Sequence, residues 1–269
     1  MSIINGPFDF NGSMGNMRSY YDPSLGKQVL SRKGGPTREQ FLTDPNYERQ
    51  RQVSSEFIGR SLWASQVRQS LSDIGHLMYS RCFNQIMTGG KYIQQRDTTN
   101  PNGQLAIVVK NNPAILTGIE FNKLTPFSKV IGDIYGVSLS PDKKTVTLSI
   151  PGFISSRDPI WATKFSAVRF YLVIAQISDV VWNAEINGYE KVVTGLEVFT
   201  RSTTGGWIVK NNEPVDVTLN ASFEEAALTC PGTTVIAAMG VEFSIPANNG
   251  QSFVMPRNGS MGIVGYWTE

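Results

Sequence analysis

Histidine is almost absent from this 269-residue chain and cysteine is scarce: His76 stands alone, and Cys82 and Cys230 lie far apart in unlike settings. A single histidine removes the two-His zinc patterns, and no Cys-x-x-Cys pair replaces them. A Ser–His–Asp triad would have to use His76, which sits in a helical run without a Gly-x-Ser-x-Gly context, so it reads as a structural or surface residue. The two cysteines read as buried free thiols in a reducing compartment, with a disulfide as the alternative. Uninterrupted apolar runs are short as well. The longest, Phe170–Ala175, is strand-length, so no membrane span is expected. The opening Met1–Pro7 lacks a basic segment followed by an apolar run. No secretory signal is therefore expected, and the expected location is the cytoplasm or a released particle.

Charge is thin too, at 17% of residues against roughly 25% in an average domain. That texture suits β-rich proteins with Ser, Thr, Asn and Gly in their turns, and subunits that bury surface against neighbours. The 41% hydrophobic content is ample for a core. Residues 1–100 hold twelve Lys and Arg against eight Asp and Glu, and residues 101–269 hold twelve against fourteen. This polarity could serve packing between copies. A nucleic-acid footprint is normally far more basic, so nucleic acid is not an expected partner.

What is present falls into two textures, and the expected fold class is α+β. Residues 6–34 read as a hairpin-like arm, with strands Met17–Tyr21 and Lys27–Ser31 joined by the turn Asp22-Pro-Ser-Leu-Gly26. A two-stranded ribbon is marginal alone in water, so the arm must dock, on its own chain or on another copy. Thr43-Asp-Pro45 then starts a helix, and Val53, Phe57, Ala64, Val67, Leu71, Ile74 and Met78 recur at helical spacing. Glu56, Arg60 and Arg68 are among the expected solvated positions. One helix to about residue 87 and two helices hinged near Gly75 are both allowed. Thr88-Gly-Gly90 is the expected end.

Asp97–Gly103 reads as a linker, dividing a hairpin-and-helix segment (1–99) from an antiparallel β-sandwich (104–269). Beyond it, Leu105–Val109 and Ala114–Ile119 are strand candidates, and Gly136–Ser140 with Thr145–Ile150 is the clearest hairpin. Val168–Ala175 reads as a central strand buried on both faces. Further candidates are Lys191–Phe199, Val215–Leu219, Thr234–Ala238 and Val241–Ile245. A last hairpin turns at Ala247–Gly250, returns through Ser252–Met255, and Gly262–Trp267 closes the sheet.

Chemistry is hard to find in this pattern. Glu224 and Glu225 are adjacent, while Asp179, Glu185, Glu190 and Glu197 are scattered; these read as solvated edges and loop ends rather than a glycosidase pair. Lys33-Gly-Gly35 and Thr204-Gly-Gly206 lack phosphate-loop spacing and read as turns. No catalytic residue, metal ligand or cofactor site is expected. Trp161, Trp182, Trp207 and Trp267 keep a carbohydrate-binding module open as the alternative, although tryptophans of β-sandwiches more often anchor cores or interfaces.

Gly12-Ser-Met-Gly-Asn-Met17, Arg32-Lys-Gly-Gly35 and Thr43–Arg51 ahead of a helix resemble the opening of a family of uncharacterised Bacteroidota proteins. That family shows a Gly-x-x-Gly-Asn arm, a Lys-Gly-Gly turn and an Asp-Pro-x-Tyr-x-Arg helix start. Gly118–Asn122 and Gly240–Phe243 also look familial. The resemblance implies no activity and no functional residues. The leading expectation is a non-enzymatic structural subunit that assembles with other copies of itself, as a filament, lattice or phage-like particle. Tyr20, Tyr21, Val29 and Leu30 of the arm are the expected interface, because free sheet edges recruit partners by backbone pairing.

Overall fold

Alternating residues near the N-terminus build a sheet. In the computed structural model, which describes residues 2–3, 10–161, 164–196, 199–225, 230–246, 252–254 and 258–268, that sheet comprises β1 (Ser2–Ile3), β2 (Gly12–Met14), β3 (Met17–Asp22) and β4 (Lys27–Arg32). It is antiparallel, in the order β1-β4-β3-β2. The arm is thus four-stranded rather than a ribbon; residues 4–9 lie outside the described residues. The β3–β4 turn forms as expected, with the Asp22 carboxylate accepting from the Ser24 amide at 2.9 Å and hydroxyl at 2.6 Å.

A helix not anticipated from periodicity follows, α1 (Arg38–Thr43). Thr37 and Gln40 form a reciprocal capping box that satisfies two amides at its start. Asp44 caps the 3-10 turn Pro45–Tyr47, and α2 (Glu48–Ser70) begins directly after it. Compact units divide the chain at Met1–Arg51 and Gln52–Glu269. The division falls within α2 and not at Asn100–Gly103.

In the second unit the helical run is broken, as one of the two alternatives required. A 3-10 turn spans Ser72–Leu77, with Ile74 at φ −109° and ψ 17°, and α3 (Cys82–Gln94) resumes beyond it. Gly89 and Gly90 lie inside α3 instead of ending it. A Cβ at either would come within 3.0 Å of Ile119 or Trp63, so these glycines serve close packing rather than capping. The apolar stripe buries from Trp63, Ala64 and Val67 through Leu71 and Ile74, whereas Val53 and Phe57 are exposed. Glu56 and Arg60, expected in solvent, are buried. Glu56 Oε1 accepts the Gly103 amide at 2.9 Å, and Ser55 Oγ donates to the Gly103 carbonyl at 2.7 Å. These bonds fasten the supposed linker to α2. Asp97 holds the same loop from the other end, accepting the Ala106 amide at 2.7 Å.

Of the strand expected at Leu105–Val109 there is an isolated bridge, Ile107 to Val180, and Val109 begins a 3-10 turn, Val109–Asn111. The expected strand at Ala114–Ile119 is replaced by a 3-10 turn at Pro113–Ile115, where Pro113 starts the turn. A short helix, α4 (Phe127–Val130), leads to the expected hairpin of β5 (Gly136–Leu139) and β6 (Thr145–Phe153). Next come β7 (Ala167–Ser178) and the unanticipated hairpin β8 (Val180–Asn183) with β9 (Gly188–Lys191). Residues 192–196 are not strand, and residues 197–198 of that expected strand are outside the described set. The chain continues through β10 (Thr200–Thr204), β11 (Ile208–Val209) and β12 (Val215–Ser222). The two candidates at 234–238 and 241–245 are one strand, β13 (Thr233–Pro246), followed by β14 (Ser252–Phe253) and β15 (Gly259–Thr268). The turn expected at 247–250 and the end of its return strand at Met255 lie outside the described residues.

The sheets are antiparallel. The larger orders as β10-β7-β13-β14, with β11 also on β7 and β15 also on β13; the smaller orders as β12-β6-β5. Between the two sheets lies a sandwich core. Val146, Leu148 and Ile150 of β6 and Val217 and Leu219 of β12 meet Phe170, Leu172, Met239 and Val241. On the other face of β7 and β13, Val173, Ala175, Ile236 and Ala238 pack against Trp63, Val67, Leu71, Ile74 and Leu77. Being covered by helices on one side and a sheet on the other explains why β7 reads as a continuous apolar run. It also explains why the helices and the sandwich belong to one unit, since each fully buried side chain contributes about 1.5–3 kcal/mol to the layer it joins.

Candidate functional site

The arm residues expected at an interface fall on two faces. Tyr20 pairs with Val29 across β3 and β4, and Ser19 pairs with Leu30. Because successive strand residues point to opposite sides, Tyr20 and Val29 share one face while Tyr21 and Leu30 share the other. Val29 is fully buried, Tyr20 and Leu30 are half-buried, and Tyr21 is 56% exposed. The Tyr21 face also carries Met17 and its cross-strand partner Met14, which is 66% exposed. Among the described residues of this unit, only Ser19 and Val29 are buried. Polar bonding does part of the work of a core. Gln28 Nε2 reaches the Phe10 carbonyl, Asn11 Oδ1 and Ser19 Oγ, all within 2.8–2.9 Å.

In the second unit the structure gathers a group that the sequence did not single out. Glu242 of β13 is only 2% exposed and lies directly opposite Arg169 of β7. Its Oε2 accepts from Arg169 Nε at 2.6 Å and from the Tyr171 hydroxyl at 2.7 Å. Oε1 faces His76 Nε2 at 3.2 Å, and the imidazole meets the Tyr171 ring edge-on at 5.6 Å. Burial, reinforced by the Glu242 hydrogen bond, pushes the Tyr171 phenol well above its ordinary range, so it stays a donor. The Arg169 guanidinium also lies 4.5 Å from the centre of the Trp207 ring. A legible signal existed: each of the two most apolar strands carries one interior charge, and the two charges are opposite. His76 reaches the group because the 3-10 break turns it toward the sheet.

His76 also lines a cavity of about 660 Å³ formed by the end of α2, the 3-10 turn and the start of α3. Cys82 lines it too; burial raises its thiol above the ordinary value, which leaves it protonated and unsuited to nucleophilic work. Cys82 and Cys230 are not joined, and Cys230 is half-buried rather than buried.

The remaining expected candidates stay dispersed. Asp179 is buried, accepting the Val109 amide at 2.9 Å, and burial raises its carboxyl from 3.8 to about 6 despite Lys110 nearby. Glu224 pairs with Arg201 at 2.6 Å on the surface, and Glu190 accepts from Asn183 at 2.8 Å. Glu197 lies outside the described residues. Trp161 stacks on Phe243, Trp182 packs edge-on against Tyr189 and Trp267 packs on the sandwich core. Trp207, though 39% exposed, has its ring under Arg169. Among the described residues there is no group of three or more His, Cys, Asp or Glu arranged to hold a metal, and no helix long and apolar enough to cross a membrane. No protein-family model, curated protein or solved structure matches the chain.

Proposed function

We propose that this chain is a non-enzymatic structural subunit that assembles with other copies of itself through its N-terminal sheet, building a filament, lattice or particle. One observation carries the reading: the four-stranded sheet has almost no core of its own among the described residues. Met14, Met17 and Tyr21 lie on one exposed face. A sheet ordinarily covers one face with another layer, and exposed Met and Tyr side chains on a face without one invite such a layer from a partner. The interface is centred on Met14, Met17, Tyr21 and Leu30; Tyr20 and Val29 face the other way and support the sheet. The kinship suggested by the arm, turn and helix-start motifs belongs to this proposal. Light scattering coupled to size exclusion tests it, together with electron microscopy of the full-length protein. The wild type runs as multiples of the 29.7 kDa chain, and Met17→Glu with Tyr21→Lys runs as a monomer with an unchanged circular dichroism spectrum. A wild type that is monomeric at about 100 μM, well above the Kd of a stable interface, refutes the reading.

A further inference from the structure

The cavity beside His76 carries an asymmetry of charge. Arg68 and His76 both line it, and no Asp or Glu is among its described lining residues. Arg68 is exposed on the last turns of α2 and has no hydrogen-bond or ion-pair partner among the described residues. The nearest acids are already engaged. Glu242 lies behind the imidazole, paired with the Arg169 guanidinium and accepting from the Tyr171 hydroxyl. Asp73 accepts from Ser202 Oγ at 2.5 Å and lines a different cavity. Glu242 Oε1, 3.2 Å from His76 Nε2, sets a carboxylate oxygen behind the ring on the side away from the cavity's hydroxyl-bearing residues.

Ser72, Tyr79 and Ser80, which carry hydroxyl groups, also line the cavity, as do the apolar Met78 and Phe83. A guanidinium with hydroxyl donors matches a tetrahedral oxyanion, and the planar fork of Arg68 suits two oxygens at once. The volume lies within the range of small-molecule sites, larger than an inorganic ion needs. We infer that this cavity binds a small organic phosphate monoester, its phosphoryl group on Arg68 and the hydroxyls and its organic part against Met78 and Phe83. His76, steadied by Glu242, positions the ligand and closes the site on the sheet side.

Phenyl phosphate is the probe, with inorganic phosphate and phenol as controls, titrated into the full-length protein by calorimetry at about 150 mM salt, where surface charge is screened beyond about 8 Å. The wild type binds phenyl phosphate saturably with a Kd of about 1 mM or tighter, inorganic phosphate more weakly and phenol not at all. Arg68→Gln weakens phenyl phosphate by about tenfold or more, and His76→Gln weakens it as well. Arg68 is exposed, so its replacement leaves the core intact. Arg81→Gln, on a neighbouring cavity, leaves the affinity unchanged. Absence of saturable binding, wild-type affinity in Arg68→Gln, or an equal loss in Arg81→Gln overturns the inference.

Discussion

Asp179 allows the sharpest test of the energetics. It sits where β7 gives way to β8, its amide donating to the Gly232 carbonyl at 2.8 Å and its carboxylate accepting the Val109 amide at 2.9 Å. One amide and the charge of Lys110 do not replace the water lost on burial, so the carboxyl titrates near 6 instead of 3.8. Between those values the folded protein keeps a proton that the unfolded chain has released. Stability therefore falls as pH rises from about 4 to about 6, and above that the penalty is complete and constant. At 1.36 kcal/mol per pKa unit the penalty at neutral pH is about 3 kcal/mol. Asp179→Asn removes the charge and keeps an acceptor for Val109. Its stability relative to wild type should thus rise by about 3 kcal/mol between pH 4 and pH 7, whatever constant cost the new amide brings. Urea unfolding of both proteins across that range measures the difference directly, because a constant packing cost cancels. A difference that does not change with pH refutes the assignment of a desolvated, raised carboxyl.

Four further outcomes are expected. Glu242→Ala strands Arg169 and His76 and costs about 3 kcal/mol in urea unfolding, whereas Arg201→Ala, whose partner Glu224 is 84% exposed, costs under about 1 kcal/mol. Gly259→Ala places a methyl against the Val241 carbonyl oxygen and 3.1 Å from the Glu242 Cα. The backbone cannot yield there as a side chain would, so the variant loses about 3 kcal/mol or more, read as a lower denaturation midpoint. Brief treatment with subtilisin, which does not require Lys or Arg, cuts first in the exposed 32–35 segment at the end of β4 and spares the 97–103 loop fastened to α2; a first cut near residue 100 would contradict those bonds. Chelator leaves the melting temperature unchanged to within about a degree, and a shift of several degrees, equivalent to about 1–2 kcal/mol, reveals a carboxylate metal site.

Legibility followed the physics of each segment. The β3–β4 and β5–β6 hairpins were readable because turn chemistry and alternation act over a few residues, and the alternation in β6 appears as burial of Val146, Leu148 and Ile150. The break between α2 and α3 was visible around Ser72–Gly75 for the same local reason. What failed depended on distant partners. Gly89 and Gly90 look like a helix end until Trp63 and Ile119 are known to press on them. Glu56 looks solvated until the Gly103 amide is seen to bond to its carboxylate. Asn100–Gly103 has the composition of a linker, yet its backbone groups bond to Ser55, Glu56 and Tyr189. The arm residues were identifiable individually, but which of them share a face required the register. The His76 group was hidden for the same reason: its parts come from three segments, and only β-pairing sets Arg169 opposite Glu242.

That opposition bears on how the large sheet finds its alignment. A strand with one wet face is held in register by its own pattern, since a slip of one residue turns its apolar set toward water. β7 and β13 are covered on both sides and pair from Thr233 with Ser178 to Ser244 with Ala167. Sliding one along the other would exchange one buried aliphatic residue for another at little cost over most of that length. Arg169 and Glu242 break the degeneracy. Shifted by one place, a buried carboxylate would face Val168 or Phe170, losing its guanidinium, its phenol and its imidazole together. The ion pair thus acts as an index mark near one end of the two strands, as the Gln176–Thr233 hydrogen bond does near the other.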